Sequence, residues 1–197
     1  MTKKGPSLFQ RALQGMLAFL FRFLRQPWTA RFYNAAAPNF ALTAIETVFL
    51  KFEQGDDEPD IIEVLLQNRR DGDIPQWRGR PASPGSMVQE CDVADPPCDF
   101  LDALRRVKEK ELGGSSFIFT PKPVAVQYHK TARGPEIALV FVCQLCEPAV
   151  PPEGLWWNDA ERLPENILPH HPDIISAAVN AIRSGINNAS FPENLPN

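Results

Sequence analysis

The stretch from Pro84 to Gly114 constrains this chain more than any other. It opens with Pro84-Gly85-Ser86-Met87-Val88, a turn running into strand-like residues. It closes with Ala103-Leu-Arg-Arg-Val-Lys-Glu-Lys-Glu-Leu-Gly113-Gly114, a charged helix stopped by two glycines. Glycine ends a helix without strain because it takes a left-handed backbone freely. A polar, proline-containing loop joins the turn to the helix, with Asp99 after Pro96-Pro97 as the expected N-cap of a helix over 99–112.

Around this segment the chain reads as alternating strands and helices. Residues 41–52 and 61–67 are expected to form a hairpin over the Gln54–Pro59 turn, followed by loop at 68–77. Residues 116–119, 124–130 and 137–146 are strand-like. A closing helix over 173–184 follows Pro172, carries Ile174, Ile175, Ala178 and Ile182 on one face, and stops at Gly185. A chain of 197 residues can bury a real core. The expected organisation is an N-terminal helix and linker at 1–38, one α/β domain at 39–186 built as a mixed sheet between helices, and a tail at 187–197. Twenty prolines punctuate the loops between these elements.

Charge is distributed unevenly. Residues 1–45 hold six Lys or Arg and no acid, so the remaining 14 basic and 24 acidic side chains leave the body at −10 within a net charge of −4. An acidic body argues against nucleic acid as a partner. Within residues 7–26, three arginines and the polar residues Gln10, Gln14, Gly15 and Gln26 gather on one arc of a helix, and the rest of the wheel is apolar. Arg22 and Arg25 interrupt the apolar run, which makes it a poor membrane span and a poor secretory signal. Three readings stay open: a helix packed on the body or on a second copy in a homodimer, a helix lying on a membrane surface, or a targeting segment. The expected location is cytoplasmic, with membrane association if the second reading holds. Cys143-Gln-Leu-Cys146 has metal or redox spacing, but it lies in an apolar strand. Residues three apart on a strand face opposite ways, so core and loop thiols are the better reading than a zinc site completed by Cys91 and Cys98.

The order of elements resembles the Nudix hydrolase superfamily over residues 41–184. Leu65-Leu-Gln-Asn-Arg-Arg70 resembles the strand that ends in a polar-basic pair before the family's signature box. Trp77 and Pro84-Gly85-Ser86 resemble its "W…P-G-G" turn, with Ser86 in place of the second glycine. Leu155-Trp-Trp-Asn-Asp-Ala-Glu-Arg-Leu-Pro164 resembles a late motif ahead of the closing helix. With Gly113 as the closing glycine of the box, Arg106 is the box arginine and Glu111 its last glutamate. The two other helix glutamates of the family become Val107 and Lys110. Glu109 points away from Glu111 on a regular helix and cannot replace them. The helix is similar to that of the GDP-mannose mannosyl hydrolases, which manage with one helix glutamate.

The resemblance implies a metal, Mg²⁺ or Mn²⁺, held by Glu111 and the backbone of Gly85 and Ser86, with Glu153 as the nearest match to a later ligand. It implies catalytic roles for Glu111, Arg106 and Glu153. Arg78 and Arg80 could clamp a diphosphate bidentately, and Trp77 or Trp156 could stack a base or sugar. Each has a plainer reading: exposed arginines are solvated, tryptophans pack, and Arg106 pairs with an acid such as Asp102 one turn back. His170-His171 read as a cap on the closing helix, with a general base as the sharper alternative. The function implied is hydrolysis of a nucleoside-diphosphate derivative, such as a nucleotide sugar. The rival is a binding protein that kept the shape and lost the metal, favoured by the ammonium of Lys110 on the metal-facing side.

Overall fold

A computed structural model describes residues 42–54, 59–70, 74–88, 100–147 and 150–185. The helix at 7–26, the turn tip at 55–58, Asp99, Cys91, Cys98 and the C-terminal tail lie outside the described residues.

The centre is a mixed sheet. Strand β1 (Leu42–Gln54) forms an antiparallel hairpin with β2 (Pro59–Asn68). On its other side β1 runs parallel to β7 (Gly134–Leu145), with Leu42 opposite Glu136 and Phe49 opposite Cys143. Strands β5 (Phe117–Phe119) and β6 (Ala125–Thr131) both pair antiparallel with β7. Short strands β3 (Pro81–Ala82) and β4 (Gly85–Met87) pair with β2 and β1, and β8 (Leu155–Asp159) pairs with β2. The sequence motif at Leu155-Trp-Trp is therefore a strand, which the motif reading did not foresee.

Burial on both faces explains the near-continuous apolar runs of β1 and β7. On one face Ile45, Phe49, Leu65, Phe117, Phe119, Phe141 and Cys143 pack against helix α1 (Leu101–Arg106) through Ala103 and Leu104, and against Val107 just after it. On the other, Val48, Leu50, Val64, Leu66, Ala138, Val140 and Val142 pack against helix α2 (His171–Arg183) through Ile174, Ile175, Ala178 and Ile182. The expected sandwich of a sheet between two helices is what the chain forms. Strand β6 alternates half-buried and exposed residues instead, because only one of its faces is covered.

Both helices differ from expectation at their ends. α2 begins at His171, with Pro172 in its first turn, where the missing N–H is harmless. α1 is entered from Phe100, whose φ of 57° is left-handed and whose side chain makes no capping hydrogen bond. After Arg106 the helix widens into a π-turn over Val107–Glu111, closed by Leu112 N–H donating to the Val107 carbonyl at 3.1 Å. Gly113 and Gly114 then turn the chain at φ 58° and 89°, and Gly114 N–H donates to the Lys108 carbonyl at 2.8 Å. Cys143 lies buried in β7, where burial pushes its thiol well above the usual range. Cys146 is exposed past the strand's end. A buried neutral thiol and an exposed one on different surroundings do not make a metal knuckle.

Candidate functional site

The Pro84-Gly85-Ser86-Met87 turn and the charged helix meet as the sequence led one to expect. Thr47 fastens the turn, because its N–H and hydroxyl both donate to the Pro84 carbonyl, at 3.1 and 2.8 Å. Gly85 then lies opposite Glu46 of β1. A Cβ at Gly85 would stand 2.9 Å from both the Ile45 carbonyl and Glu46 Oε2, so this position must be glycine for β4 to dock. Arg106 reaches from α1 to the same turn, donating to the Met87 carbonyl at 3.0 Å and to Ser86 Oγ at 3.4 Å. The pairing expected between Arg106 and Asp102 is instead made by Arg105, at 2.6 Å. Arg105 sits on the exposed side of the helix with Asp102, while Arg106 points back to the strand.

Glu111 ends the π-turn, half-buried, and its Oε2 accepts a hydrogen bond from Gln67 Nε2 at 2.7 Å. Arg70 stands 3.9 Å from the same oxygen and also donates to the Lys110 carbonyl. Glu109 is exposed, on the far side of the helix. Glu153 is exposed in the turn before β8; two residues on, Leu155 pairs with Gln67, which places Glu153 at the same end of β2 as Glu111. The partners Gln67 and Arg70 carried a signal in the sequence, the polar-basic end of an apolar strand, but their contact with Glu111 needed the fold.

The other residues singled out in the sequence lie elsewhere. Trp77 is only 3% exposed, packed with Ala82 and Leu168, and the Arg133 guanidinium covers its ring at 4.3 Å. Arg80 donates to the carbonyls of Asn166 and Ile167, both at 2.9 Å. Arg78 is exposed on the same turn. Trp156 packs partly buried on the α2 face. His170 and His171 are buried at the start of α2, where Ser83 N–H and hydroxyl both reach His171 Nδ1. Burial and the neighbouring His129, Arg69 and Arg133 hold His170 down at about 3, so it is neutral at ordinary pH. Glu46 was not anticipated. It is 2% exposed, and burial foremost pushes its carboxyl up to about 8.

No protein-family model matches the sequence, and no curated protein matches it. Solved structures do. One, a possible asymmetric diadenosine tetraphosphate hydrolase from Jonesia denitrificans, is 17% identical, covers 73% of this chain and 95% of its own, and has a TM-score of 0.53. A MutT/nudix family protein from Enterococcus faecalis is 16% identical over 87% of this chain and 71% of its own, with a TM-score of 0.51. Another from Listeria innocua is 17% identical over 73% and 94%, with a TM-score of 0.50. The fold is that of the Nudix superfamily. Identity at this level leaves the chemistry to be argued from the site itself.

Proposed function

We propose that the chain is a Nudix-type hydrolase of a nucleoside-diphosphate derivative, with a nucleotide sugar as the substrate class its helix motif fits best. The observation that carries this is the placement of Glu111. Its carboxylate is oriented by Gln67, half shielded from water, on the helix that Arg106 ties to the Gly85-Ser86 turn.

The donor set suits a hard divalent cation brought in with the substrate. Glu111 offers one carboxylate whose Oε1 is left over from the Gln67 bond, and the turn offers backbone carbonyls. Mg²⁺ commonly uses one or two carboxylates plus substrate phosphates and keeps several waters. When bound there, Mg²⁺ or Mn²⁺ would neutralise diphosphate charge and lower the pKa of an attacking water. The chain's own residues do the rest. Gln67 holds the Glu111 carboxylate in one orientation. Arg106 fixes the turn, so its carbonyls need no reorganisation on binding. Arg70, at the rim, can take an equatorial phosphate oxygen in place of its long contact with Glu111. Glu153 stands at the open end of β2, where it can accept a proton from water.

The experiment is release of nucleotide from a panel of nucleotide sugars and dinucleoside polyphosphates, with Mg²⁺ or Mn²⁺ against a chelator. We expect metal-dependent turnover, and at least about a hundredfold loss in Glu111→Gln with the melting transition kept. Turnover unchanged in that variant rejects Glu111 as the metal-holding residue.

One observation favours a second reading. Arg70 stands 3.9 Å from the single carboxylate, and Lys110, whose backbone carbonyl Arg70 also holds, is exposed beside it in sequence. A protein that binds the diphosphate directly through these groups, without metal or turnover, would show nucleotide binding that persists in chelator. Binding of that kind with no activity across the panel would replace the hydrolase reading.

A further inference from the structure

Strand β6 is an edge strand with one side open. Among the described residues it pairs with β7 alone, from Ala125 opposite Val140 to Thr131 opposite Gly134. A two-residue turn, Ala132-Arg133, closes this hairpin, so the ladder bonds to β7 fall on Thr131, His129, Gln127 and Ala125. The N–H and C=O groups of Val126, Tyr128 and Lys130 therefore point away from β7. Their side chains are exposed as well, Val126 at 65% and Tyr128 at 68%. An open ladder edge is a template for another strand, and proteins guard one with charges, prolines or bulges. On this row the guard is a single lysine, Lys130, at its end.

Helix α2 supplies a second observation. Beside β6 lies a groove of about 480 Å³, walled by Gln127 and His129 on the strand side and by Asp173, Ser176, Ala177 and Asn180 on the helix side. The outward residues of α2 are small: Ser176 and Asn180 are exposed, Ala177 and Ala181 half-buried. No charged residue occurs between Asp173 and Arg183. A helix face left to water ordinarily carries charge, and small side chains let a second helix approach closely.

We propose that a second copy of this chain docks here, its β6 antiparallel to the first, so that the sheet continues across a two-fold axis at Tyr128. The surface is self-complementary in that arrangement, as a contact between identical patches requires. Tyr128 exchanges ladder bonds with Tyr128 of the second copy, and Val126 does so with Lys130. On the face away from α2 the two Tyr128 rings meet, and each Val126 lies against the aliphatic stem of the opposing Lys130. On the groove side Gln127 faces His129 of the second copy. These two side chains already hydrogen-bond within one chain at 3.0 Å, so their donors and acceptors match. The axis also reverses the helix, bringing the acidic Asp173 end of one α2 toward the Arg183 end of the other. An unrelated strand would share the ladder, but only the chain itself repeats every one of these pairings.

The test is sedimentation of the full chain over roughly 1–200 μM, a range in which an interface of standard size associates. We expect a monomer–dimer equilibrium. Tyr128→Lys and Tyr128→Glu, each alone, set like charges against each other at the axis, and each should raise the dissociation constant at least about tenfold. Mixed in equal amounts the two variants should pair again, because position 128 then faces its opposite charge. Ser176→Arg, an exposed change, should weaken the dimer by a similar factor while the circular dichroism spectrum stays that of the parent. A parent chain still monomeric at the top of the range overturns the proposal. So does a dimer that Tyr128→Lys leaves intact, which another surface must hold, or a mixture of the two charge variants that stays monomeric. A Ser176→Arg dimer as tight as the parent's overturns the helix contact.

Discussion

Glu46 occupies a position where hydrocarbon would be expected, in the apolar run of β1 between the strands that carry Gly85 and Val140. Its acidity follows from that place. Burial raises its pKa from 4.5 to about 8, with Arg69 and Arg133 opposing and Glu136 adding to the rise. The unfolded chain ionises this carboxyl above about pH 4.5, whereas the folded chain keeps its proton until about pH 8. Stability from this group is therefore lost as pH rises through that window, and levels off above it. Glu46→Gln keeps the shape and removes the titration. It should melt higher than the parent at pH 8, by at least about 1 kcal/mol or roughly 2–4 °C, with the gap closing toward pH 5. A scan showing the same gap at every pH would sink this account. An acid at an inward position of an apolar strand was visible in the sequence. That it touches the Gly85 turn was not, since 39 residues separate the two (85 − 46).

At the scale of elements, the π-turn is the instructive case. A helix over 99–112 was legible from its charges and its glycine stop, and a helix is there. Its widening at Val107–Glu111 was not legible, because Val-Lys-Glu-Lys-Glu is compatible with a regular helix. Packing selects the wider turn. It lets Val107 and Leu112 both reach the core while Glu111 faces Gln67. π-turns concentrate where a side chain must be re-aimed. The element is held to the sheet through Arg106, so Arg106→Ala should cost about 1.5–3 kcal/mol. Hydrogen exchange gives the check: amides of residues 85–88 should exchange faster, while those of the β1–β2 hairpin keep their protection. Uniform acceleration across both would show that Arg106 supports the whole fold and not the turn.

Among the described residues, two large apolar cores lie on opposite faces of one sheet, with a small third cluster at Trp77, Ala82 and Leu168. Strands β1, β2, β5, β6 and β7 were readable from their apolar and β-branched residues, β4 as strand-like residues in the Pro84 segment, and both helices from their charges, faces and glycine stops. β3 and β8 were not, because two to five residues give no usable period. The candidate site was half legible: motif spacing pointed to Glu111, Arg106 and Gly85, whereas the place of Gln67 and Arg70 beside Glu111 depends on contacts distant in sequence. Two cores predict independence. Leu104→Ala on one face and Ile175→Ala on the other should each cost about 2–5 kcal/mol. The double variant should equal their sum within about 0.5 kcal/mol. Denaturant melts of the four proteins measure this, and a large coupling would mean that the sheet transmits packing from face to face.

The parallel pairing of β1 with β7 also sets a timetable. Leu42 waits for Glu136, 94 residues later in synthesis (136 − 42), before the sheet's middle can close. Until then the ribosome has released an apolar strand with one ladder edge unpaired, and only β2 and β4 on its other edge to shelter it. Contacts this distant in sequence slow folding and lengthen exposure of sticky intermediates. A nascent chain halted near residue 120 should therefore recruit chaperones strongly, and one extended past β7 should let them go.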